Sequence, residues 1–203
     1  MPKVGMEPLR RQQLIDATLS SISEHGLQNT TIVTISRIAG MSSGIISHYF
    51  GGKRELIEAT VSYLLEQLLQ SFLERITQEN PAPQIRLHLI VESNFTEFQR
   101  SVLATKTWLS FWAKAMHDPA MARLQSINSK RLYSNLLFSF RELLEPEAAA
   151  NAAKQTAAMI DGFWLRSALS DNPEQEFIAA ELLCKTFIND VIKQERFNAS
   201  NQI

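Results

Sequence analysis

The chain is predicted to be all-α, with an N-terminal three-helix helix-turn-helix domain and a larger C-terminal helical domain, about nine helices in all. Three observations carry this. The twenty residues Thr31 to Phe50, TIVTISRIAGMSSGIISHYF, read as two short helices around a tight turn. Elsewhere apolar residues recur at helical spacing, and nothing alternates like a strand for long. The breaks His117-Asp118-Pro119, Glu145-Pro146 and Asp171-Asn172-Pro173 each offer a proline suited to a first helical turn.

Taken in order, residues 7–25 form an amphipathic helix with Leu14, Ile15, Leu19 and Ile22 inward, closed by Gly26. The first motif helix covers about 32–39, with Ile32, Ile35, Ile38 and Ala39 on one side. Gly40 ends it where the chain turns, and Ser42 or Ser43 can cap the second motif helix, near 43–49. A long helix runs from about Lys53 to Gln78, ended by Asn80-Pro81-Ala82-Pro83. Later helices are expected at 84–99, 102–116, 120–144, 147–170 and 174–194, with a frayed tail from Asn198. The domains are then a small N-terminal one at 1–55 and a larger helical one at 56–203. The join lies inside the long helix, and a continuous helix can pass on a displacement that a loose linker would absorb.

Composition excludes several classes. Of 203 residues 45% are apolar, with seven glycines and seven prolines and no low-complexity tract. No apolar run approaches the roughly 20 residues that cross a bilayer, and no signal peptide is visible, so a cytoplasmic, nucleoid-associated location is expected. Cys184 stands alone and reads as a buried, inert thiol. His25, His48, His88 and His117 lack metal-ligand spacing, so no metal and no cofactor is expected. Ser47 and His48 are successive helical residues that do not face each other, and no phosphate-cradling glycine loop exists, so an enzyme is not expected. The net charge of −1 is unusual for a nucleic-acid binder. Position matters more: Arg10, Arg11, Lys53 and Arg54 stand at or near helix N-termini, where backbone N–H groups also favour phosphate.

In the second motif helix Ile46 and Phe50 share a core-facing side, which leaves Gly44, Ile45, His48 and Tyr49 outward as the reading face. Thr30 and Thr31 offer hydroxyls to phosphate, or simply cap the first motif helix. Ser43, Gly44 and Ile45 open the reading helix; Gly44 permits close approach, and Ile45 meets a thymine methyl or packs on a neighbouring helix. Arg37, Ser42, Ser47, His48, Tyr49 and Lys53 complete the candidate interface. No Arg, Asn or Gln projects from the reading helix, so specificity leans on methyl contacts, Ser and His hydrogen bonds and DNA shape.

The run T-I-x-x-I-x-x-x-A-G-x-S-x-G-x-I-x-x-Y-F followed by K-x-x-L resembles the DNA-binding domain of the TetR family of bacterial repressors. The resemblance implies that Tyr49 and Lys53 hold phosphates and that the chain works as a homodimer on a pseudo-palindromic double-stranded operator. It also implies that helices 147–170 and 174–194 form the dimer contact. MPKVGMEPLRRQQLIDAT, the central NF with KTWLSFWAKAMH, and IDGFWLRSALS resemble choline-responsive members of that family, which control glycine betaine synthesis. Regulation of efflux genes by another cation, or an effector-free nucleoid binder, are the competing readings.

Trp108, Phe111, Trp112 and Ala115 share one helical face, and Phe163 and Trp164 follow Asp161. Aromatic faces attract a quaternary ammonium, and a carboxylate supplies countercharge. Asn94, Phe95, Phe98 and Tyr133 are further lining candidates. Aromatic stripes at this spacing are more often core, and Asp161 could instead face solvent or pair across a dimer. Choline is thus the effector that the resemblance implies.

Overall fold

A computed structural model of the chain describes residues 6–77 and 81–200. Among these residues the regular structure is helical: α1 (Met6–Asn29), α2 (Ile32–Ala39), α3 (Gly44–Phe50), α4 (Lys53–Thr77), α5 (Pro83–Asn94), α6 (Glu97–Arg100), α7 (Val102–Ala115), α8 (Pro119–Phe140), α9 (Pro146–Ala168) and α10 (Pro173–Ser200). No helix is long and apolar enough to cross a membrane among the described residues.

Two compact units result. The first gathers the chain up to Gln67 with Ser101–Gln125; the second holds Leu68–Arg100 and the chain from Ser126 onward. This division by packing differs from the boundary expected at 55/56, because α7 packs on α1 and so shares the first unit with the helix-turn-helix. Helix α4 contributes to both units.

In the first unit α1 is the platform for α2, α3 and α7. Leu14, Ala17, Ile35, Ile46 and Leu56 form the buried cluster under the motif. Each fully buried aliphatic side chain there contributes about 1.5–3 kcal/mol. Gly26 takes φ 75 and bends α1, the left-handed region that glycine enters without a steric penalty. Its carbonyl accepts both the Thr30 backbone N–H and the Thr30 hydroxyl, at 3.1 and 2.9 Å. Ser21 of α1 donates to Thr30 and exchanges a hydrogen bond with Thr34 of α2, so these hydroxyls join the two helices and satisfy one another. Lys106 Nζ donates to the Ser23 carbonyl at 2.8 Å and holds α7 against α1.

In the second unit α10 packs against α5 and α9. Phe95, Phe140, Ile160, Trp164, Phe177, Cys184 and Ile188 are buried there. Burial, with Glu181 adding to it, pushes the Cys184 thiol up to about 12, which makes it the inert thiol expected. Glu92 of α5 receives Arg75 of α4 at 2.8 Å and Lys185 of α10 at 2.7 Å. Burial would lower the Lys185 ammonium, but Glu181 and Glu92 outweigh it and hold it above its ordinary value.

Several expected boundaries need correction. The single helix expected at 84–99 is two, broken at Phe95 and Thr96. Ser93 and Asn94 donate to the Leu89 and Ile90 carbonyls, competing with the ladder, and Thr96 Oγ1 accepts the Gln99 N–H to start α6. Helix α8 stops at Phe140 rather than 144, where Leu143 and Leu144 both donate to the Phe140 carbonyl. Helix α10 continues through Asn198 to Ser200, where a frayed tail was expected. Gln78 and Asn80, the expected end and break of the long helix, lie outside the described residues, as do 201–203.

Candidate nucleic-acid interface and effector region

The turn between α2 and α3 is built by Gly40 at φ 64, whose N–H donates to the carbonyls of Ser36 and Arg37. Thr31 is the N-cap of α2 in a reciprocal capping box with Thr34. Its hydroxyl stays exposed, so capping and phosphate contact are compatible. Thr30 is different: it is fully buried and spends its hydroxyl on Gly26 and Ser21, so its side chain has no access to a phosphate.

Ser43 does stand at the N-cap position of α3, but it is helical at φ −61 and ψ −28 and makes no side-chain cap bond. The expected hydroxyl cap is therefore absent; backbone turns from Ile45 to Ser42 and from Ile46 to Ser43 start the helix. Ser42, Ser43, Gly44, Ser47 and His48 are all exposed, which assembles a contiguous polar face on a seven-residue helix. Ile46 is the inward anchor. Ile45 and Tyr49 are half-buried against the same cluster, so packing claims part of each side chain. His48 stands edge-on to Tyr49, with ring centroids 4.8 Å apart.

Arg37 is exposed in the last turn of α2, where a cation also suits the helix dipole. Lys53 opens α4 and is half-buried. Beside it Arg54 is held above its ordinary value by its hydrogen bond to Glu58, at 3.0 Å, and by Asp118. Asp118 itself caps α8 through the Ala120 and Met121 N–H groups and pairs with Lys114 at 3.4 Å. Burial would raise its carboxyl, but these partners outweigh that and hold it below its ordinary value. Sequence spacing gave no sign of this charge set between the α7–α8 turn and the start of α4. Arg11, expected near phosphate, instead turns inward: it donates to the Tyr49 carbonyl and lies 4.3 Å from the Phe50 ring centroid.

The aromatic candidates divide between the units. In the first, Trp108 and Phe111 are buried with ring centroids 5.7 Å apart, and the half-buried Trp112 lies 6.2 Å from Trp108. In the second, Phe177 stands 5.7 Å from Trp164 and 6.3 Å from Phe95, all three buried. Phe177 was missed because it follows a proline break and belongs to no aromatic stripe. Asn94 spends its amide on Ile90, and Tyr133 is half-buried.

Trp164 is turned into the core with Ile160, whereas Asp161 is exposed on α9. The solvent-facing alternative for Asp161 is thus the one realised on a single protomer. Exposure does not leave it fully hydrated: protein crowding on its other side pushes the carboxyl up to about 6. A raised carboxyl stabilises the folded state only while protonated, so stability falls as pH rises from 3.8, its ordinary value, through about 6. Asp161→Asn should therefore melt above the wild type near neutral pH, with the difference shrinking as pH falls toward 4. Melting curves across this range test it; a constant difference would remove ionisation as the cause.

Comparisons with known proteins agree with this geometry. Residues 14–60 match the family model described as "Bacterial regulatory proteins, tetR family", and residues 83–193 the one described as "BetI-type transcriptional repressor, C-terminal". The chain is 48% identical over 202 residues to the HTH-type transcriptional regulator BetI of Pectobacterium atrosepticum, covering 98% of this chain and 100% of that one. It is 47% identical to BetI 2 of Chromohalobacter salexigens over 194 residues, 95% of this chain and 93% of that one. Among solved structures, a TetR transcription regulator from Haloarcula marismortui superposes with TM-score 0.79 at 20% identity, covering 90% and 98% of the two chains. A transcriptional regulator from Saccharomonospora viridis, solved in complex with choline, gives TM-score 0.72 at 18% identity, covering 92% and 96%.

The chain belongs to the TetR family of bacterial DNA-binding regulators and carries a BetI-type repressor C-terminal domain. Such regulators bind DNA and are not enzymes.

Proposed function

We propose that this repressor reads a pseudo-palindromic operator as a homodimer in the cytoplasm and responds to choline, controlling genes that convert choline to glycine betaine. The observation that carries the reading is the near full-length likeness to BetI regulators, which covers both the DNA-reading helices and the aromatic-bearing α7 and α9. The choline-bound relative of the same fold supports the ligand class. Exposed Ser42, Ser43, Gly44, Ser47 and His48 supply a small polar surface suited to a major groove. Choline then acts by binding one conformer more tightly than the other, which lowers the population that matches the operator.

Exposed Leu165, Leu169, Ile178, Leu182 and Leu183 give α9 and α10 an apolar outer face, the surface assigned here to the second protomer. Ala149, Ala152 and Ala153 do not belong to it, since they are buried within the protomer.

Thermal-shift titration with choline, betaine aldehyde, glycine betaine and unrelated cations tests the effector. A specific ligand at 100 times its Kd should stabilise the protein by about 2.7 kcal/mol. Trp108→Leu, Trp112→Leu and Trp164→Leu should each weaken choline by roughly 0.5–2 kcal/mol where the ring faces the cation. Calorimetry giving wild-type choline affinity in all three would assign these rings to the core alone. A shift with lipophilic cations and none with choline would favour an efflux regulator.

A further inference from the structure

We infer that Arg11 of α1 is the residue that sets the orientation of the recognition helix, acting as a positioning residue rather than as a phosphate contact. Helix α3 has only seven residues, too short to be stable by itself. Ile46 is its one fully buried side chain; Ile45, Tyr49 and Phe50 pack only partly against the same cluster and leave the turn of the helix loosely fixed. A second hold is needed at one end.

Arg11 supplies it at the carboxyl end. Its Nη1 donates to the Tyr49 carbonyl, in the last turn, where helix carbonyls lack intrahelical partners. The neighbouring Ser47 carbonyl is already taken by the Gly51 N–H at 3.0 Å. The same guanidinium lies 4.3 Å from the Phe50 ring centroid, so it grips consecutive residues of α3 through a hydrogen bond and a cation–π contact. Its charge also opposes the negative end of the α3 dipole, which has no Lys or Arg of its own in that turn. Glu7, one turn back on α1, stands 4.0 Å from Arg11 and biases it toward this side. The contact spans 38 residues and ties α3 to α1, the platform of the first unit. Arg11 also lies outside residues 14–60, the stretch matched to the family's DNA-binding domain.

Lysine cannot replace this group. An ammonium can reach one carbonyl, but it lacks the planar fork that stacks on Phe50 while donating from its edge. If Arg11 merely faced DNA, lysine would serve nearly as well. The two roles therefore separate in Arg11→Lys, which keeps the charge and the fold, and in Arg11→Met, which keeps the stem alone.

The test uses the full chain and a duplex that the wild type selects from a random-sequence pool, with an unrelated duplex as control. Titrations at several salt concentrations give two readouts, the selected-to-unrelated affinity ratio and the salt slope. Both Arg11→Lys and Arg11→Met should lower the ratio about tenfold, the scale of one misread base pair, and leave the salt slope unchanged. Lys53→Ala is the reference phosphate change, flattening the slope by about 0.9 per subunit contact with little change of ratio. Phe50→Leu should lower the ratio as well, and combining it with Arg11→Lys should add little, since both break one contact. The inference is overturned if Arg11→Lys behaves as wild type, or if either Arg11 variant flattens the slope while keeping the ratio.

Discussion

Gly44→Val is expected to fold at least as well as the wild type and to lose operator affinity by about 1–3 kcal/mol, the usual cost of forcing extra atoms into a close contact. The expectation comes from what surrounds Gly44 in the free protein. A Cβ built there meets nothing within 4 Å, and its φ is not positive, so neither packing nor backbone conformation demands glycine. Glycine in the middle of a helix costs roughly 0.5–1 kcal/mol relative to alanine, and less at a first helical position such as this one. The chain thus carries a small local penalty with no return inside its own fold, on the exposed first turn of the recognition helix. Close approach of a DNA strand is the return that fits. Gly44→Ala should fall between, with a melting temperature equal to or above wild type and a smaller loss of affinity. Gly44→Val binding its operator as tightly as wild type would show that no close approach occurs at this position.

The same helix shows how far a sequence can be read and where it stops. Ile35 and Ile46 turn inward because a 3.6-residue period leaves them no other side, and Gly40 ends α2 because a left-handed residue is needed there. Those features are local, so spacing reveals them. Spacing does not reveal the burial of Thr30, because its hydroxyl is claimed by Ser21 and Gly26, partners set by the fold of α1 around a bend. The inward turn of Arg11 is hidden for the same kind of reason: its partners are 38 and 39 positions away along the chain. The break at Phe95 escaped notice because Ser93 and Asn94 are tolerated in helices unless their side chains turn onto backbone carbonyls. In the effector region the Trp108 and Trp164 stripes were visible, but a helical period cannot tell a cage wall from a core side chain.

Leu182→Asp is expected to leave the protomer folded and to reduce operator affinity by roughly 10²–10⁴-fold, the gain normally supplied by linking two binding modules. Leu182 is 64% exposed, so within one protomer the carboxylate would stand in water at little cost. It lies amid the exposed Ile178 and Leu183 of α10, with Leu165 and Leu169 exposed on the adjacent α9. These side chains are 38–67% exposed, so covering each offers about half of the roughly 1.5–3 kcal/mol of a full transfer, a sum that helps hold two protomers. A two-fold contact through this face would bring the introduced carboxylate near its own symmetry mate, and a buried, unpaired charge is strongly disfavoured. The variant should sediment as a monomer at concentrations where the wild type is a dimer. Its monomer still carries an intact reading helix, so weak binding to a half-site should survive with about half the wild-type salt slope, because each protomer supplies half the phosphate contacts. Choline affinity is the internal control, expected to stay within a few-fold of wild type if the ligand is held within one protomer. A Leu182→Asp protein that remains dimeric, or that dissociates and still binds the full operator as tightly as wild type, would move the dimer contact away from α9 and α10 or remove dimerisation from operator reading.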